Sequence, residues 1–251
     1  MKTILITGAT SGIGQACAEI FASQNHQLIL TGRRKDRLEA LAEKLRQQHQ
    51  INILTLCFDV RNYEEVERHL GHLAAGFDQV DILINNAGLA AGLGPVQNGK
   101  ISDWDRMIDT NIKGLLYVTQ VISQKMIERK SGHVFNIASI AGKEVYANGN
   151  VYCATKHAVD ALSRAMRIDM LQAGIKVTNI APGMVETEFS LVRFEGDAEK
   201  AKSVYKGLTP LSAHDIATVI SMIANLPHNI VINDITITPL AQASAAHVVR
   251  S

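Results

Sequence analysis

Cysteine is scarce in this chain of 251 residues: Cys17, Cys57 and Cys153 stand apart, with no CxxC spacing among them. So scattered and odd a set argues against a disulfide framework and against a zinc site, and makes a reducing cytoplasm the simplest compartment. An excess of one charge is missing as well. Lys plus Arg number 25 and Asp plus Glu 24, so no general attraction to nucleic acid or to an anionic membrane is expected, and no basic run with interleaved aromatics supplies a local one. Long apolar runs are also absent. None reaches the ~18 residues of a membrane span, and the N-terminus enters a strand after one Lys, without the apolar stretch and cleavage site of a secretory leader. Internal repeats and low-complexity tracts are lacking. The nine histidines are scattered, and the nearest pair, His69 and His72, has no third ligand beside it and reads as part of a solvated helix face. No metal site is expected. The chain is 47% hydrophobic, and its length suits one soluble domain with a sizeable core.

Short runs rich in Ile, Val and Leu recur at residues 3–7, 27–31, 53–57, 81–85, 133–137, 176–180 and 235–238. They are apolar at consecutive positions, as strands are when helices cover a parallel sheet on both faces. Between them, residues 36–49, 103–130, 151–173 and 212–226 carry apolar side chains near helical period. This alternation predicts an α/β fold, a doubly wound (Rossmann) parallel sheet of about seven strands in a single domain spanning residues 1–251. Trp104, the only Trp, reads as the apolar anchor at the start of a long helix, with Ser102 or Asp103 as its cap. Cys153 reads as a packed thiol. The least regular stretch, 186–209, is charged and contains Gly; it is expected to be a substrate lid, with a plain surface excursion as the competing reading.

Directly after Ile4-Leu5-Ile6 comes Thr7-Gly8-Ala9-Thr10-Ser11-Gly12-Ile13-Gly14. A strand that runs through a glycine-rich turn into a helix suits a phosphate: Gly8, Gly12 and Gly14 allow the backbone to turn tightly and approach the anion, and the helix N-terminus offers free N–H groups. Use of Gly merely to turn is the alternative. Farther along, Tyr152 and Lys156 stand four apart and share one face of a helix. Ser139 follows the apolar run 133–137, at the strand end where open parallel sheets place their ligands.

Together with Asn85-Asn86-Ala87-Gly88, Asn111 and Pro182-Gly183-Met184-Val185-Glu186-Thr187, this ordered set resembles the short-chain dehydrogenase/reductase family along nearly the whole chain. Combined with right-handed crossovers, the resemblance implies strand order 3-2-1-4-5-6-7. It also implies an oxidoreductase acting on CH–OH groups, with Tyr152 as acid/base, its phenolate favoured by the Lys156 ammonium and by an oxidised nicotinamide. In the same likeness Lys156 holds the nicotinamide ribose, Ser139 fixes and polarises the substrate oxygen, and Asn111 holds a water that links Lys156 to solvent. Cofactor contacts fall on Thr10, Ser11 and Ile13 beside the glycines, and on Asp59 with Val60 at the adenine. Others fall on Asn85, Ala87 and Gly88 along the adenosine, and on Pro182, Gly183, Val185 and Thr187 around the nicotinamide. Read without the likeness, Asp59 serves equally as a cap, Asn85 as a backbone tether and Asn111 as a structural hydrogen-bonder. The family further implies a homotetramer packed through the helices near 103–130 and 151–173.

After the second strand come Gly32, Arg33 and Arg34, where an NAD-specific protein places an acidic residue for the ribose 2′-hydroxyl. Two guanidinium groups favour a 2′-phosphate instead, so the expected cofactor is NADP(H). The competing reading is a solvated helix start with Asp36 neutralising one Arg. Thr31-Gly32-Arg33-Arg34 with Arg37-Leu38, Trp104 with Met107 to Asn111, and Glu186 to Ser190 with Val192-Arg193-Phe194 resemble one branch of the family. That branch is the NADP-dependent 3-hydroxy acid dehydrogenases, which include serine and allo-threonine dehydrogenases and malonic semialdehyde reductases. The implied reaction interconverts a small 3-hydroxy acid, of the serine, allo-threonine, 3-hydroxyisobutyrate or 3-hydroxypropionate type, and its 3-oxo acid. Such a substrate carries a carboxylate two carbons from the reacting carbon, so a cation is expected there. Arg193 is the candidate, with Lys143 or Lys206 as alternatives. Ala138, where many relatives carry Ser or Gly, and Ala147, where Pro is frequent, leave the preferred acid open. Two other functions compete. One is an NADPH-dependent reductase of a 3-oxoacyl thioester or ketone; the other is a cofactor-sensing regulatory protein, which would usually lack one of Asn111, Ser139, Tyr152 and Lys156.

Overall fold

The computed structural model describes residues 1–251. In chain order its elements are β1 (Thr3–Ile6), α1 (Gly12–Ser23), β2 (Gln27–Gly32), α2 (Lys35–His49), β3 (Ile53–Cys57), α3 (Tyr63–Leu70) and β4 (Ile82–Asn85). Then follow α4 (Ile101–Ile108), α5 (Leu115–Arg129), β5 (His133–Ile137), α6 (Asn150–Asp169) and β6 (Lys176–Pro182). The chain closes with β7 (Val185–Glu186), α7 (Phe189–Arg193), α8 (Ala198–Ser203), β8 (Leu211–Ser212), α9 (Ala213–Ala224) and β9 (Asp234–Ile237). Seven strands form one sheet in the order β3-β2-β1-β4-β5-β6-β9, every neighbouring pair parallel. These are the seven apolar runs, in the expected order; β7 and β8 form a separate two-stranded ribbon.

Strand side chains alternate between two cores, as the period of two requires. Ile4, Ile6, Leu28, Leu30, Ile82, Ile84 and Phe135 pack with α1, α2 and α9 on one face. Leu5, Ile29, Leu83, Val134 and Val177 pack with α3, α5 and α6 on the other. No helix is long and apolar enough to cross a membrane.

Three local expectations need correction. The helix expected over 103–130 is interrupted, because Asp109–Gly114 forms a π-helical turn between α4 and α5. Its start also lies earlier: α4 begins at Ile101, with Lys100 at the cap position making no side-chain cap bond, so Ser102 and Asp103 sit inside the first turn. Trp104 instead covers Gly99, where an added Cβ would come within 2.4 Å of the indole. Finally, His69 is not simply solvated: its ring stacks on Phe58 at 5.2 Å and 11°, and α3 ends before His72.

The glycine-rich turn between β1 and α1 is held by the end of β4. Thr7 Oγ1 accepts hydrogen bonds from Asn86 N and Ala87 N at 3.0 and 2.9 Å, and Asn86 Nδ2 donates to Thr7 O and Gly8 O at 2.9 and 3.1 Å. Gly8 and Gly12 have φ of 65° and 54°, the left-handed region that L side chains rarely adopt. Gly14 meets a different constraint, for a Cβ there would lie 2.4 Å from Asn86 Nδ2 and 2.5 Å from Gly8 O. Gly14→Ala is therefore expected to cost on the order of 1–3 kcal/mol by forcing helix and turn apart, measured by urea denaturation. Unchanged stability would show that the turn yields without cost.

Candidate active site

The C-terminal ends of the strands open into one continuous cleft of about 640 Å³, the place where open parallel sheets bind ligands. At one end lie Arg33, Arg34 and Asp59, in the middle the glycine turn, and at the other end Ser139, Tyr152, Lys156 and Arg193. Thr10, Ser11, Gly12, Ile13, Val60, Ala87 and Gly88 line it, as do Pro182, Gly183, Val185 and Thr187. Gly14 lies behind the turn. Thr187 closes over the turn, its Cβ 3.3 Å from the position a Gly12 Cβ would take. The cradle fits a dinucleotide: a side chain at Gly12 would meet Thr187 across it, and the first turn of α1 has no acidic residue to take its free N–H groups.

At the arginine end, Arg34 is oriented by the turn itself. Its Nε and Nη2 donate to Thr10 Oγ1 at 3.1 and 2.9 Å, and Nη2 also reaches Ser11 Oγ at 2.8 Å. Arg37, one helical turn onward, joins it through Glu188, which bridges the two guanidinium groups. Arg33 faces Asp59 at 3.6 Å, and Asp59 also accepts from Arg61 Nη2 at 2.6 Å. The charges beside it outweigh burial and hold the Asp59 carboxyl below its ordinary range.

At the other end α6 presents Tyr152 and Lys156 on one face, both buried. Lys156 Nζ donates to Ile137 O at 2.8 Å and stands 5.9 Å from the Tyr152 ring centre. Burial lowers the Lys156 amine to about 8. Burial also pushes the Tyr152 phenol above its ordinary value, with Tyr146 adding to the rise while Ser139 and Arg193 oppose it. In this dry cleft burial disfavours both charged forms, and Arg193, its Cζ 5.6 Å from the ring, opposes the rise at the phenol. Ser139 Oγ accepts from Ala141 N at 3.1 Å, and its hydroxyl donates to Pro182 O at 3.4 Å.

Arg193, on α7, ties the 186–209 segment to the body. Its Nε donates to Gly92 O at 3.2 Å and Nη1 to Tyr146 OH at 3.0 Å, while Nη2 is buried without a partner. A second cavity of about 510 Å³ lies on its far side, lined by Trp104, Lys100 and Asn150 among others. Of the alternative cations, Lys143 is engaged by Asp160 and Asp234, and Lys206 is exposed outside the cleft.

Besides Gly14, two expected residues lie outside the cleft. Asn85 does not face the adenosine side; its Nδ2 donates to Thr119 Oγ1 and Asn136 Oδ1 at 2.8 and 2.9 Å inside the core, because the last residue of β4 points into the sheet face. Asn86, next in line, lines the cleft instead. Asn111 sits in the π-helical turn, where Oδ1 accepts from Leu89 N at 2.9 Å and Nδ2 donates to Leu89 O and Thr155 Oγ1 at 2.8 and 3.0 Å. An added Cβ on Gly88 would meet both Asn111 Oδ1 and Lys156 Nζ, at 3.3 and 3.5 Å, so the glycine lets these groups converge. Sequence reasoning missed Thr7, Asn86, Arg37, Tyr146, Glu188 and Gln242. Gln242 Oε1 accepts from Met184 N at 2.8 Å and fills the space beside Gly183. Thr7, Asn86, Arg37 and Glu188 stand within the stretches that carry the resemblance, which gave them no separate role, and Arg37 also stands three from Arg34.

Residues 2–197 match the family described as short chain dehydrogenase. NADP-dependent 3-hydroxy acid dehydrogenase YdfG of Salmonella typhi is 44% identical over 243 residues, covering 96% of each chain. Serine 3-dehydrogenase of Rhizobium radiobacter is also 44% identical over 243 residues, covering 97% of this chain and 96% of the relative. The closed form of serine dehydrogenase complexed with NADP+ superposes with a TM-score of 0.92 at 41% identity, covering 99% of both chains.

Proposed function

The chain belongs to the short chain dehydrogenase family, and we propose that it interconverts a small 3-hydroxy acid and its 3-oxo acid with NADP(H). Bound in the cleft, NADP(H) supplies or accepts the hydride at the carbon. The chain's own residues do the rest. Arg34 and Arg37, with Arg33, form the seat for a 2′-phosphate, the glycine turn and α1 N-terminus receive the pyrophosphate, and Thr187 with Pro182 and Gly183 walls the nicotinamide end. Ser139 offers its hydroxyl to the substrate oxygen, and Tyr152 moves the proton at that oxygen. Lys156, held by Ile137 O, steadies the ribose end and the charge beside the phenol. Asn111 Oδ1 retains a lone pair near Lys156, which supports its role in a solvent link.

The observation that carries the substrate class is Arg193. A buried guanidinium nitrogen without a partner is costly unless a ligand completes it, and this one belongs to a residue whose Cζ lies 5.6 Å from the Tyr152 ring. A carboxylate two carbons from the reacting centre spans that interval. In this reading the 186–209 segment is the lid that brings Arg193 to the substrate. A thioester reductase would instead need a basic docking patch, and the cations nearest the reacting end are enclosed or paired. A regulatory protein would usually lack one of these side chains, and the chain carries Asn111, Ser139, Tyr152 and Lys156. Assembly of copies is part of the same reading: α4 and α5 leave Ile101, Ile108, Leu116 and Ile127 exposed.

Arg193→Ala is expected to raise KM for L-serine or 3-hydroxypropionate about ten- to a hundred-fold, the worth of a charged hydrogen bond, and to leave a neutral secondary alcohol nearly unaffected. Equal effects on both substrates would remove the carboxylate role. For Tyr152, a phenol held above its ordinary pKa is protonated at neutral pH. Reduction, which consumes that proton, is therefore expected to be flat near pH 7 and to fall in alkali, whereas oxidation rises with pH. Tyr152→Phe is expected to lower kcat at least about 100-fold; initial rates in both directions across pH check both points, and a rate unchanged by the substitution would exclude the mechanism.

A further inference from the structure

Glu188 lies at position 188 of the chain yet occupies the arginine end of the cleft, 154 residues from Arg34. Each of its carboxylate oxygens is taken by a different guanidinium: Oε2 by Arg34 Nη1 at 2.8 Å and Oε1 by Arg37 Nη1 at 2.7 Å. Arg34 has little freedom to offer another face, since Nε and Nη2 are already committed to Thr10 and Ser11. Nη1 is thus the atom a phosphate must win, and Glu188 holds it. The third guanidinium, Arg33, is the most loosely engaged, 3.6 Å from Asp59. All three side chains of the bridge are substantially solvent-exposed, so the bridge can exchange with an incoming anion without unfolding the wall.

We infer that Glu188 is a specificity-determining residue for the cofactor: its carboxylate stands in the 2′-phosphate seat as an internal surrogate, so binding of a 2′-phosphorylated ligand must displace it. A ligand without that phosphate leaves both ion pairs intact. The phosphate prevails because it brings close to two negative charges and several acceptor oxygens against one carboxylate. Glu188 therefore moderates the preference for the phosphorylated cofactor rather than creating it. Because the same residue precedes α7, displacing it also removes one tether of the 186–209 segment, while Glu186 stays paired with Ser212, Phe189 stays against Tyr152 and Arg193 stays tied to Gly92 and Tyr146. The inference rests on the reading of Arg34 and Arg37 as the phosphate seat.

Calorimetric titration separates the two. The ligands are adenosine 2′,5′-bisphosphate and 5′-AMP, which carry no nicotinamide, so turnover plays no part. Glu188→Gln is expected to tighten binding of the bisphosphate about five-fold, or about 1 kcal/mol, and to leave 5′-AMP unchanged. No tightening, or equal tightening of both ligands, overturns the inference. Arg34→Ala provides the control: it is expected to weaken the bisphosphate selectively. If it does so while Glu188→Gln changes nothing, the seat stands and the surrogate falls; if Arg34→Ala weakens neither ligand, the seat falls and the surrogate with it.

Discussion

A parallel sheet delivers all its strand C-termini to one edge, and every chemical feature of this protein hangs on that alignment. The four central strands, β1, β4, β5 and β6, pair in register over apolar residues buried on both faces. Their ends release Thr7, Asn86, Ser139 and Gly183 along that edge in a stagger, since β1 stops level with Phe135 and Thr178 while β6 runs on to Pro182. What hydrogen bonding adds is cross-linking: Thr7 and Asn86 fasten the β1 turn to the β4 end, and Asn85 with Asn136 and Ser163 runs a buried polar chain from β4 through β5 to α6. Their side-chain donors are all used inside the core, where an unpaired polar atom is costly, and Asn85 Oδ1 alone is left without a partner. The glycine-rich turn is thus braced from behind rather than merely permitted by glycine.

The cleft treats charge differently at its two ends. At the arginine end the side chains are partly solvated and each cation has a carboxylate partner, so charge persists and can be exchanged. At the tyrosine end the groups are enclosed, and burial works against the ammonium of Lys156 and the phenolate of Tyr152 alike. Only there does a proton have a reason to change hands near neutrality. A ligand spanning both ends would meet an exposed ionic anchor at one and the enclosed pair Tyr152 and Lys156 at the other.

The features legible in the chain were those set by local patterns. The seven strands followed from the apolar runs, whereas their order and most of the cleft's residues came with the family resemblance carried by the glycine turn, Ser139 and the Tyr152–Lys156 spacing. The failures share a cause, which is side-chain direction or distant contact. Asn85 and Asn86 are indistinguishable as letters, yet the strand's alternation sends one into the core and the other to the ligand. The cap expected at Ser102 or Asp103 was overridden because Trp104 packs back over Gly99. Glu188 and Arg34 meet only after the whole sheet is wound, and no spacing announces them. The burial that raises Tyr152 was hidden for the same reason, because enclosure is a property of the assembled walls.

The π-helical turn at Asp109–Gly114 also sets the phase of what lies on either side. A wide turn holds more residues per revolution than an α-helical one, so it rotates α4 about the common axis relative to α5. Met107, before it, packs with Leu89, Tyr152 and Cys153, whereas Leu115, Val118 and Ile122, after it, pack with Leu83 and Val134 in the sheet core. One continuous rod thereby serves two separate interiors. Had the turn been regular, the apolar stripe of one half would have drifted out of step with its own core, and the wall beneath Tyr152 would have lost its filling.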